Sequence, residues 1–237
     1  MRQVLLIAIN FVREQRWPIL VLLLWVLGLA LLGLTTSEAH QGQDLLFVFK
    51  QVALYVVAFS VFFGSSAIYN DRRSRRILSI LSKDLERSQY LSGLVLGIVI
   101  ASAVYSFALG LTGSWTLGEA GFGVGHIWFL MLCLVAACGL AGTVALMFST
   151  FLNPFFAAGA TAAAMGVPAA LSYGFGIPQL AYVIPVYPLA ATVLKSSFSM
   201  PEPTSWFPIL LAVVETLLFL LLSARIFSYV DIAVAVD

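Results

Sequence analysis

The chain has 237 residues, of which 61% are apolar and 10% charged, against roughly 45–50% and 25% in soluble globular chains. So few charges cannot cover the surface of a soluble domain of this size, which leaves an integral membrane protein. The net charge of +1, from 12 basic and 11 acidic residues, excludes nucleic acid as a partner on charge grounds.

Residues 1–17 read as an interfacial amphipathic helix. Val4, Leu5, Ala8, Phe11 and Val12 face one way and Arg2, Asn10, Arg13 and Glu14 another, with Leu6 and Ile7 interrupting the pattern. Residues 18–237 then form a single transmembrane domain. A bilayer core needs about 20 mostly apolar residues as helix, and six stretches meet that need: about 19–35, 45–69, 90–112, 127–150, 155–173 and 207–229. The first carries no A-x-A-like cleavage site and is expected to stay as an anchor.

Six spans put both termini on one side, and the basic residues choose it. Arg2, Arg13, Arg16, Arg72, Arg73, Arg75, Arg76, Lys83, Arg87 and Arg225 fall on one face, leaving Lys50 and Lys195 for the other. The expected location is the cell (inner) membrane, multi-pass, with both termini cytoplasmic. On the outer side, 36–44 and 113–126 are short. Residues 176–206 hold most of the chain's prolines, and their apolar part Leu180–Leu194 is too short and too proline-broken to span. A re-entrant or interfacial hairpin is expected there. The glycine-rich Leu117–Gly125 matches no dinucleotide loop and reads as an outer turn.

The connection after the second span is the most informative segment, with a helix expected over about 73–88. At 100° per residue, Ile77, Leu78, Leu81 and Leu85 share one face, and Arg72, Arg75, Arg76, Lys83, Glu86 and Arg87 the opposite one. Such a helix either rests on anionic lipid or docks into a partner. From Asp71 through Arg75, Arg76, Leu81, Leu85 and Arg87 to Gly93, the run resembles the signature of permease subunits of ATP-binding-cassette (ABC) transporters of the type-two export class. Asp71 stands at the acid that closes span two, Arg87 at the arginine and Gly93 at the glycine opening span three. Leu94, Arg75, Arg76 and Asp84 depart from the usual lysine, Gly-Thr and proline. The resemblance implies a coupling helix gripped by a separate ABC ATPase, which would hold the ATP and Mg, and a second permease copy in a homo- or heterodimer.

Two small-residue stripes are expected to pack against helices. One is Ala158, Ala162, Gly166, Ala170 and Gly174 in span five, and the other is Gly93-x-x-x-Gly97 in span three. Pro168 is expected to kink span five. Glu215, nearly half-way through span six, costs roughly 2.5–3.5 kcal/mol on insertion scales and needs protein, water or a partner group around it. It reads either as a substrate-facing or proton-linked group or as a packing acid. Cys133 and Cys138 point about 140° apart on a helix and read as buried thiols. His40 and His126 lack ligand neighbours, so no metal is expected.

The chain contains no G-x-x-x-x-G-K-S/T, G-x-S-x-G or H-E-x-x-H sequence, so no cofactor and no catalysis are expected in it. The fold class expected is all-α: six transmembrane helices, an N-terminal interfacial helix and a cytoplasmic coupling helix. The function expected is the permease of an ATP-driven exporter. The alternatives are a haem-exporter-like subunit of cytochrome maturation and a membrane anchor that transports nothing.

Overall fold

The structure, a computed structural model, describes residues 2–35, 41–73, 86–119, 121–198 and 205–229. Among them every regular element is helical. The order is α1 (Arg2–Glu14), α2 (Arg16–Thr35), α3 (Gln41–Arg73), α4 (Arg87–Glu119), α5 (Val124–Ser149), α6 (Pro154–Phe175), a 3-10 turn (Pro178–Tyr182), α7 (Val186–Lys195) and α8 (Phe207–Tyr229). Helices α3, α4, α5, α6 and α8 are each long and apolar enough to cross a membrane. The pair α1–α2, bent by 65°, adds a sixth if it counts as one span. This is the architecture of a multi-pass helical membrane protein.

Helices α3 and α4 have 33 residues each, about 50 Å at 1.5 Å per residue. Both therefore outrun a hydrocarbon core of about 30 Å and the spans expected from apolarity alone. The segment 113–126 is correspondingly less of a loop than its composition suggests. Helix α4 continues through Gly113 to Glu119, and α5 resumes at Val124 after a turn in which Gly121 has φ +90°. That backbone angle suits glycine.

Helix α5 is the central post. Of its most apolar window 83% is buried, against 11% for α6 and 17% for α8. Small residues make the central position possible, because helices in lipid associate by close packing. A Cβ on Gly64 of α3 would collide with the carbonyl oxygen of Gly142, and one on Gly142 would stand 2.7 Å from Ile98 Cγ2 of α4. Cys133 and Cys138 are buried free thiols in α5. They fall in different packing clusters, Cys133 with α6, α7 and α8 and Cys138 with α2, α3 and α4.

The glycines of α4 serve α1. Gly93 lies under Ile7 and Gly97 under Phe11, where a Cβ would stand 2.7 Å from either side chain. Leu5 is 49% exposed, whereas Ile7, which seemed to interrupt the pattern, belongs to the face packed on α4. Helix α1 thus docks on protein with one apolar face and leaves Leu5, Leu6 and Ile9 exposed on another.

Asn153 caps α6 by accepting the Phe156 N–H at 3.1 Å, Pro154 occupies its first turn, and Gly176 ends it at φ +66°. Pro168 lies inside α6, which continues past it as one helix. In the proline-rich hairpin the apolar stretch breaks into the 3-10 turn and the ten-residue α7. Val186 and Leu189 of α7 bury themselves in the cluster built on α5.

Hydroxyls within the spans mostly bond back to their own helix. Ser60 donates to Val57 O, Thr143 to Gly139 O, Thr161 to Ala157 O, Thr216 to Ala212 O and Ser223 to Phe219 O, each at 2.7 Å.

Candidate functional site at the Asp71–Arg87 junction

Asp71 sits two residues before the end of α3 and Arg87 opens α4, so these two expected site residues bracket the connection between them. Arg75, Arg76, Ile77, Leu78, Leu81 and Leu85 lie outside the described residues, as does the expected coupling helix they would form. The structure places the two ends of that connection on a common base.

Asp71 is buried, and a carboxylate there needs a donor. Tyr90, fully buried one turn into α4, supplies it: its hydroxyl donates to Asp71 Oδ2 at 2.5 Å. Hydrogen bonds to a carboxylate are shorter and stronger than neutral ones. The Tyr90 ring stacks on Phe227 of α8, centroids 6.3 Å apart and planes 27° apart.

Arg87 completes the arrangement from the other side. Its Nη1 donates to Phe227 O at 2.6 Å and to Ser228 O at 3.3 Å, and its guanidinium lies 5.6 Å from the Phe227 ring centroid. The last carbonyls of a helix have no partner within it, and a cation there also meets the negative end of the helix dipole. Arg87 therefore caps the end of α8. Sequence reading placed Arg87 on the polar face of the coupling helix, whereas it begins α4 and turns toward α8. At the same helix start, Glu86 O accepts the Tyr90 N–H at 3.1 Å and Glu86 Oε2 accepts the Ser88 hydroxyl at 3.1 Å.

Beneath this junction a cluster of Phe11, Phe63, Ile68, Tyr90, Leu91, Leu94, Ile98, Leu146 and Phe227 joins α1, α3, α4, α5 and α8. A displacement at either end of the 74–85 connection consequently reaches five helices through packed side chains. Tyr90 and Phe227 had no sequence signal pointing to this site. A buried acid demands a donor, but nothing in residue spacing says which tyrosine provides it.

The other expected site residues lie elsewhere. Gly93 and Gly97 are buried under α1, next to the junction. In the span-five stripe Ala158 is half-buried and Ala162, Gly166, Ala170 and Gly174 are exposed. Nothing stands within 4 Å of a Cβ placed on Gly166 or Gly174, because α6 turns Ala157 and Thr161 inward instead. Glu215 is half-buried in α8, away from the junction residues in sequence, and its Oε2 is enclosed without a hydrogen-bond partner. Among the described residues no group of three His, Cys, Asp or Glu side chains could hold a metal ion. No protein-family model and no curated protein matches the sequence.

Proposed function

We propose that the chain is the permease subunit of an ATP-driven ABC exporter, working as a dimer with two ATPase subunits. The reading counts the bent α1–α2 pair as the first of six spans and puts the Asp71–Arg87 junction and both termini on the cytoplasmic side, where the basic residues concentrate. The observation that supports it best is the fastening of both ends of the connection: Asp71 to Tyr90, and Arg87 to the end of α8. A segment pushed by a motor protein needs such anchorage, or it would flex without moving the spans.

In this mechanism ATP and Mg belong to the partner. Its ATPase cycle displaces the segment containing Ile77, Leu78, Leu81 and Leu85, which seats its apolar face in a groove of the ATPase as a helix-in-groove contact. The junction passes the displacement to α3, α4 and α8, which tilt around the central α5. The exposed stripe Ala162, Gly166, Ala170 and Gly174 is the face on which a second permease copy packs, since small residues let backbones approach.

Replacing Leu81 and Leu85 by Asp tests the reading. An ATPase bearing a nucleotide-binding loop is expected to co-purify with the native chain in mild detergent and to be lost from the double variant. Retention of the ATPase by the variant, or its absence from the native complex, would count against the proposal. A non-transporting anchor would keep its partner but show no nucleotide-dependent movement of the spans.

A further inference from the structure

At the end of α3 opposite the junction, a pocket of about 330 Å³ is lined by Gln43, Leu46, Phe47 and Lys50 and by Ser196, Ser197 and Phe198 after α7. The volume lies at the lower end of the range for ligand pockets. The four α3 residues are spaced i, i+3, i+4 and i+7 and so form one strip of the helix surface. Lys50 stands seven residues beyond Gln43, about 10.5 Å along the axis. That depth falls within the part of α3 long and apolar enough to span.

A lysine at that depth is costly unless an anion or water meets it. Among the described residues Lys50 has no ion pair or hydrogen bond. Asp44, the acidic residue nearest to it in sequence, does not line the pocket. Lys195, one residue before the Ser196–Phe198 rim, is exposed and does not line the pocket, so Lys50 is the cation among its lining residues.

The rim is held in place. Ser196 is fully buried with its hydroxyl donating to Val193 O at 2.7 Å. Phe198 packs edge-on against Phe122 at 5.2 Å. Ser197 and Gln43 keep donors for a ligand, while Leu46, Phe47 and Phe198 give the pocket an apolar wall, of which Phe47 is 62% exposed toward the surroundings of the bundle. A cation, neutral donors and an apolar wall that includes an exposed phenylalanine fit one ligand chemistry, a phosphate ester that carries acyl chains.

We propose that this pocket binds the headgroup of an anionic phospholipid, with Lys50 meeting the phosphate and the acyl chains leaving past Phe47. The inference stands apart from the exporter reading and needs only a bilayer around the helices.

The test is native mass spectrometry of the intact protein in detergent, titrated with phosphatidylglycerol and, separately, with phosphatidylcholine. The native chain is expected to retain phosphatidylglycerol at least about tenfold more tightly, and Lys50→Gln to bring the two lipids within about twofold of each other. Lys50→Arg is expected to preserve the preference. Ser197→Trp, which fills the pocket and leaves the lysine in place, is expected to abolish it. Millimolar inorganic phosphate should not displace the lipid, because it gains nothing from the apolar wall. Displacement by phosphate would make the pocket a free-anion site and overturn the lipid assignment. An undiminished preference in both Lys50→Gln and Ser197→Trp would overturn the site itself.

Discussion

Tyr90 and Arg87 each tie two helices together through one side chain, so their removal separates stability from signalling. Tyr90→Phe keeps the stack on Phe227 and removes only the hydroxyl that Asp71 accepts. A hydrogen bond to a charged group contributes about 1.5–3 kcal/mol, so its loss should appear as a lower melting temperature in detergent. Under the proposed function it should also weaken coupling to the ATPase more than binding of the ATPase. Equal melting of Tyr90→Phe and the native chain would show that the bond contributes nothing. Arg87→Lys is not a mild change, because an ammonium cannot reproduce the planar guanidinium that both bonds carbonyls and lies on an aromatic ring. Glu215 predicts the opposite sign. Its enclosed oxygen has no partner, so Glu215→Leu should raise the melting temperature, and a fall would mean that something holds the carboxylate. Asp71 and Arg87 were legible in the sequence because charges at the ends of apolar runs stand out. Tyr90 and Phe227 were not, since their roles arise only when α3, α4 and α8 meet.

At the level of helices, glycine position decides which elements can touch. Gly64→Val would drive a side chain into the backbone of α5. Overpacking against side chains costs about 1–3 kcal/mol, and a rigid backbone yields less, so this variant should fail to give a monodisperse protein on size-exclusion chromatography. Gly166→Val, in open space on α6, should leave the monomer intact. The long apolar helices, the proline-broken segment around α7 and the amphipathic α1 could be read from periodicity and length. The wheel misassigned Leu5 and Ile7 of α1 for a physical reason. When both lipid and protein are apolar, hydrophobicity cannot say which face meets which, and only the notch left by Gly93 and Gly97 does. Apolarity also hid the lengths of α3 and α4, which continue as helix past their apolar runs, α4 with Gly113, Thr116 and Leu117 buried and α3 with Gln43, Asp44 and Asn70 exposed.

For the molecule as a whole, the peripheral positions of α6 and α8 leave most of their surfaces to be covered by lipid or by another chain. If the small-residue face of α6 is the dimer seam proposed above, Gly166→Trp should convert dimer to monomer in mass photometry while the melting temperature changes little. A dimer that survives the tryptophan would move the seam elsewhere.

The hydroxyls that bond within their own helices have a mechanical consequence. Ser60, Thr143, Thr161, Thr216 and Ser223 donate their protons to the preceding turn, so none of these donors stitches one span to the next. Elsewhere in the bundle Tyr105 of α4 does reach across, its hydroxyl donating to the Val52 carbonyl of α3, and the close approach at Gly64 and Gly142 keys α3 to α5. The junction at Asp71 and Arg87, by contrast, is riveted by directional bonds. Under the proposed function, a push at this riveted end is carried onward chiefly by the fit of helix against helix.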